Sequence, residues 1–93
     1  MKNYVALFKQ GFGGTYAPGT QVGVPESDAD KALIAADLKA HPKSEIRYAA
    51  SVAEAKEKLL AWVRIYRQAR LGSVEFKLVN QDTGQNIDDE LKG

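Results

Sequence analysis

Over Asn3 to Gln10 both alternating sets of positions are apolar, with Tyr4, Ala6 and Phe8 in one and Val5 and Leu7 in the other. A strand apolar on both faces belongs in the middle of a sheet. The next stretch, residues 11–25 (GFGGTYAPGTQVGVP), holds five of the eight glycines and two of the three prolines. It reads as a long Gly-rich loop, with a short strand at most over Thr20 to Val24. Ser27, with Asp30 three residues on, starts a helix over Asp28 to Ala40, and the pre-proline residue His41 stops it. In that helix Ala29, Leu33, Ala36 and Ala40 make a narrow stripe suited to close packing on a sheet, while Ile34 and Leu38 form a second apolar pair on another side.

Ser44 to Ala50 alternates, with Ile46, Tyr48 and Ala50 inward and Glu45 and Arg47 outward, which predicts a half-exposed strand. Ser51 and Glu54 then make an S-x-x-E capping box, and Gly72 stands where a left-handed residue ends a helix. Between them Val52, Ala55, Leu59, Trp62, Tyr66 and Ala69 recur at spacings of three and four and mark a buried face. Val74, Phe76 and Leu78, alternating with Glu75 and Lys77, predict a further strand. Asp82-Thr83-Gly84 reads as a turn, Ile87 as a residue that pairs back in a short hairpin, and residues 88–93 as a frayed polar tail.

The order β-loop-α-β-α-β predicts a single domain over residues 1–93 of class α/β, with α+β as the alternative. Two helices pack a three- to four-stranded sheet in a two-layer sandwich. The short connections at Ala50-Ser51 and Gly72-Ser73 point to a βαβ crossover, and an antiparallel arrangement stays open beside it.

Composition narrows the function. Thirteen Lys and Arg against twelve Asp and Glu give a net charge of +1, which argues against a protein that coats DNA or an anionic membrane. The absence of Cys excludes disulfide frameworks, zinc ribbons and thiol nucleophiles, and it suits a reducing cytoplasm. No apolar run approaches the ~20 residues that span a bilayer, so the expectation is a cytoplasmic protein without a membrane partner.

Catalytic and cofactor motifs fail on context. His41 is the only histidine and sits at a helix end, where it complements the dipole. Asp28 and Asp30 belong to a first helical turn, where acids are expected without any metal. Asp82-Thr83-Gly84 matches the tripeptide of retroviral-type aspartic proteases, but its neighbours Asn80, Gln81 and Gln85 are polar, whereas that chemistry needs a buried, paired site. Gly11-Phe12-Gly13-Gly14 has Tyr16 where a dinucleotide fingerprint needs glycine, and no helix opens at once. The expectation is no enzyme, no cofactor and no metal.

Two surfaces remain. Arg64, Arg67 and Arg70 recur every third residue with no acid between Ala61 and Gly72, either as cations suited to a helix C-terminus or as a stripe for an anionic partner, with Ile65 as an apolar contact beside them. The Gly-rich loop offers Phe12 and Tyr16 as aromatic anchors unless they fold back on the core. The expected function is therefore that of a small monomeric or homodimeric protein that binds another macromolecule, most readily a protein. Phage and mobile-element inhibitors of host enzymes or defence complexes are one such class. A nucleic-acid-binding module using the arginine stripe is the alternative.

Overall fold

A computed structural model of the chain describes residues 1–10, 14–70 and 74–92, with the side chains of Gln10 and Arg70 excepted. Strand β1 (Lys2–Gln10) is central, and β2 (Thr15–Val24) and β3 (Phe76–Asn80) flank it in the order β2-β1-β3. Both pairings are antiparallel. The described residues also contain α1 (Asp28–Ala40), a 3₁₀ helix (Pro42–Arg47), α2 (Val52–Arg70) and α3 (Ile87–Lys92). The class is α+β in two layers, so of the two arrangements left open by the pattern the antiparallel one is realised.

Directly paired residues share a face, which places Tyr4, Ala6, Val22 and Leu78 on one side of the sheet. On that side Tyr4, Ala6 and Val22 pack with Ala55, Leu59 and Val63 of α2 and Ile87 of α3 as one buried cluster. The helices therefore cover one face. The other carries Val5 against Val79 and Leu7 against Lys77, and Val5 and Val79 are buried there.

Three segments depart from the sequence pattern. Residues 15–24, expected as loop with at most a short strand over Thr20 to Val24, form β2 over their whole length, because β1 offers an open flank for antiparallel pairing. The register steps from Ala6↔Thr20 to Leu7↔Pro18, leaving Gly19 as the extra residue of a bulge. Trp62 requires this glycine: a Cβ at Gly19 would lie 2.2 Å from Trp62 Cη2 and 2.8 Å from Cζ3.

Residues 44–50, expected as a strand, begin instead within the 3₁₀ helix opened by Pro42, and a single parallel bridge, Gly23↔Tyr48, is all the sheet pairing there. Lys58 Nζ donates to the carbonyls of Glu45 (3.0 Å) and Tyr48, which holds this segment against α2 rather than along β2. Ile46, assigned inward by alternation, is consequently 73% exposed.

Ile87, expected to pair back in a short hairpin, and residues 88–92, expected to fray, form α3, and the pairing back falls one residue earlier, at Asn86, which is bridged antiparallel to Val79. Asn86 caps it through Oδ1 to the Asp88 amide (2.8 Å), Ile87 is buried, and Tyr4 Oη donates to Glu90 Oε1 at 2.8 Å. Asp88 pairs with Lys56 of α2.

The two long helices follow their start signals. Ser27 Oγ accepts from the Asp30 amide (3.2 Å), and Ser51 Oγ from the Glu54 amide (3.2 Å). Their faces differ from the pattern at particular positions. Val63 is buried where Ala69 was expected, and the Ala29, Leu33, Ala36, Ala40 stripe of α1 is exposed. No residue of α1 is buried, because that helix packs mainly on the 3₁₀ helix rather than on the sheet. The Gly72 stop of α2 lies outside the described residues.

Two tests follow from this packing. Gly19→Ala forces a Cβ into a ring held among other rings, and overpacking of this kind costs about 1–3 kcal/mol. The loss should largely vanish in a Trp62→Leu background, as a double-mutant cycle by urea denaturation can measure. Acid unfolding tests the α1 start. The Glu26 amide, donating to Asp30 Oδ2 at 3.0 Å, holds the Asp30 carboxyl below its ordinary range, with the Met1 ammonium and Ser27 adding to the effect. A depressed native pKa stabilises fully above the unfolded value, about 3.9, and is lost as pH falls through the native value. Melting temperature against pH should therefore fall less steeply below about pH 4 in Asp30→Asn than in the parent. An unchanged slope would remove Asp30 from that role.

Candidate functional site

The residues singled out by sequence do not converge. Phe12 lies outside the described residues, as does the side chain of Arg70. Tyr16 pairs with Lys9 and so stands on the sheet face away from the helices. There its hydroxyl donates to Glu75 Oε2 at 3.3 Å, and Lys77 Nζ sits 4.4 Å from its ring centroid. Arg64 is exposed on α2, whereas Arg67 turns toward β3 and lays its guanidinium 5.0 Å from the Phe76 centroid. At about 100° per residue, Ile65 projects from the other flank of α2, toward β2 and the 3₁₀ helix. The arginines and Ile65 therefore diverge along the helix.

What the fold brings to Ile65 is a groove of about 290 Å³ lined by Thr20 and Val22 of β2, Glu45 and Ile46 of the 3₁₀ helix, and Lys58, Trp62 and Ile65 of α2. Ile46 and Ile65, 73% and 66% exposed, are the two most exposed large aliphatics among the described residues, and both line this groove with the ring of Trp62. Trp62 cannot retreat. Its ring centroid lies 5.1 Å from Tyr66, 6.0 Å from Phe76 and 6.5 Å from Phe8, and Gly19 closes the remaining side. Edge-on and tilted packing of this kind holds rings in place.

Sequence reasoning missed Ile46 because its alternation assigned it to a strand face, and it assigned Trp62 wholly to the core by its helical spacing. Trp62 in fact spans both: packed among rings at one side, it lines the groove at the other.

Lys58 shapes the boundary. Besides its two carbonyl partners it lies 3.6 Å from Glu54, one helical turn earlier. Its far side faces a second cleft of about 510 Å³ between α1 and α2, lined by Pro25, Ile34, Leu38, Tyr48 and Ala49 among others. This cleft accounts for the Ile34 and Leu38 pair, which the helical pattern left without a role. The Tyr48 hydroxyl donates to Asp37 of α1, and that bond pushes the Tyr48 pKa above the ordinary phenol value.

Chemically the groove is simple. Its one carboxylate, Glu45, is exposed, its one ammonium is engaged by carbonyls and Glu54, and Thr20 is its only hydroxyl. Among the described residues no group of three or more His, Cys, Asp or Glu side chains is placed to hold a metal ion, and no helix is long and apolar enough to cross a membrane. His41 ends α1, its amide donating to the Asp37 carbonyl at 2.7 Å. Asp82 and Thr83 lie exposed in a turn whose amides donate to Asn80 Oδ1. No family model matches the chain, and it has no significant match among curated proteins or solved structures.

Lys58→Ala removes charge-assisted bonds to two carbonyls, worth about 1–3 kcal/mol together in a part-exposed setting. Hydrogen exchange at residues 44–49 should accelerate more than at β1, since the tie is local. Equal acceleration across the protein would mean that Lys58 acts on global stability alone.

Proposed function

We propose that this chain is a small non-enzymatic protein that binds another protein through the groove between β2, the 3₁₀ helix and α2. The observation that carries this reading is the placement of Ile46 and Ile65 around the immobilised ring of Trp62. Apolar side chains that stay exposed beside a rigid aromatic are suited to anchor a partner, and folding does not need them. The polar groups support a binding role as well. Ser27, Asp30, Ser51, Asn80 and Asn86 spend their hydrogen bonds on caps and turns instead of converging on one cavity. The groove itself offers no paired acid and base to activate a bond.

This reading moves the contact surface from the loop to the helix side. Of the residues proposed from sequence it retains Ile65, and it adds Ile46 and Trp62. Tyr16, held by Glu75 and Lys77 on the opposite face, has no part in it.

The test is an Ile46→Asp/Ile65→Asp variant. Because both side chains are exposed, its stability should stay within about 0.5 kcal/mol of the parent. Capture of partner from a lysate of the source organism should fall by about 2 kcal/mol or more in affinity terms. A folded double variant that still retains the same partner would move the contact elsewhere.

A further inference from the structure

We propose that the partner segment enters the groove as an extended strand, hydrogen-bonded to the outer edge of β2 at residues 19–22, with an apolar side chain seated against Trp62 and its neighbours turned to the opposite face of the sheet. This inference rests on the protein-binding reading of the same groove and adds the conformation of what fills it. Unpaired backbone carries it. β2 is an edge strand, with β1 on one side and no strand on the other. Across that outer edge the described residues make one parallel bridge, Gly23↔Tyr48, in which the Ala49 amide donates to the Gly23 carbonyl at 2.9 Å. Alternate residues of an antiparallel strand aim their amides and carbonyls at the same edge. Gln21, two residues before Gly23, therefore also directs its backbone outward, and among the described residues no backbone group bonds to it there.

This length of edge lacks the usual protection. Exposed edges are ordinarily blunted by charged side chains, and β2 has none in its ten residues. The other edge of the sheet carries Lys77 on β3 and is bridged at Val79 by Asn86. On β2, Pro18 and the bulge at Gly19 end the open stretch on one side, and the Gly23 bridge ends it on the other. Room for side chains exists on both faces of that stretch. Thr20 and Val22 share the helix-covered face with Ala6 and Tyr4, where the groove of Trp62, Ile46 and Ile65 adjoins them. On the opposite face Asn3, Gln21 and Gly23 line a cavity of about 630 Å³ with Arg47. Thr20 and Ile46 line both, so the two cavities flank the same piece of edge. Successive side chains of a strand point to opposite faces. A strand laid here sends one side chain to apolar walls and the next to polar ones, which specifies an alternating sequence.

The same geometry argues against other occupants. A helix has already bonded its backbone internally and leaves the edge of β2 unpaired. A second copy pairing through its own β2 would bring a ten-residue strand to the groove, and centred there it would run into residues 47–49 beside Gly23.

A display library of random dodecapeptides, panned on the folded protein with the Ile46→Asp/Ile65→Asp variant as subtraction control, supplies the probe. Trp62, the only tryptophan, gives the readout, and a synthetic copy of an enriched peptide should shift its emission saturably. Methylating each backbone amide of that peptide in turn then reads its conformation. Kd should rise about tenfold at alternate positions and little between them, since every second amide of a strand faces β2. On the protein side, Gln21→Pro deletes the outward amide while leaving the ladder to β1, and should raise Kd about tenfold. Gln21→Ala keeps that amide and should leave Kd within about threefold. Melting curves check the fold of both variants, and the methyl scan, made on the parent protein, does not depend on them. Methyl sensitivity without a two-residue period, or an unchanged Kd in a folded Gln21→Pro, would overturn the strand assignment and leave the groove as a protein site. No enrichment over the subtraction control would overturn both readings. A dimer that the peptide dissolves and Gln21→Pro prevents would overturn the assignment in favour of a second copy.

Discussion

The seating of α2 across a three-stranded sheet decides most of what this protein presents to its surroundings. A sheet this small has one face to cover and a single long helix to cover it with. How closely that helix approaches depends on Trp62, whose ring occupies the space where Gly19 would carry a Cβ. The bulge that places Gly19 there bends β2 locally and lets the indole lie on the strand. Leu59, Ala55 and Val63 are then drawn onto Tyr4, Ala6 and Val22, and the ring cluster of Phe8, Tyr66 and Phe76 closes beyond them.

The groove is a by-product of that seating. α2 packs mainly on β2, and beyond the outer edge of that strand lies a gap that a further strand would ordinarily fill. The chain enters this gap as a 3₁₀ helix, and Lys58 ties its carbonyls to α2. The one parallel bridge at Gly23 marks where a fourth strand would have begun. A helical turn presents Ile46 outward where an extended chain would have turned it in. The exposed aliphatic wall thus follows from how the backbone spends its hydrogen bonds, and Ile65 meets it because α2 is already fixed.

The charge distribution follows the same geometry. α2 starts near Asn86 and α3, where the Lys56–Asp88 pair ties it, and ends near Phe8 and Phe76. Its acids, Glu54 and Glu57, precede its arginines, as the helix dipole favours. The dipole preference accounts for the arginines' position along the helix.

Local signals were sufficient wherever a residue acts on its own backbone neighbourhood. Ser27 and Ser51 as caps, His41 at a helix end, the central character of β1 and the turn around Asp82 all follow from interactions within a few residues. The sheet-facing side of α2 was legible for the same reason up to Tyr66. Other features depend on residues far apart in sequence. β2 is a strand because β1 has an open flank, not because glycine-rich sequence favours extension. Ile87 is buried and begins a helix because Tyr4 and Lys56 meet that segment from distant parts of the chain. Ile46 is exposed because Lys58, twelve residues later, holds its neighbours in a helical turn. The sequence by itself determined which segments could be helical or extended and where they stop, since those choices are made by local backbone sterics and hydrogen bonds. Only the tertiary structure decided which apolar residues stayed outside, because that depends on which partner each segment finds once the sheet has formed.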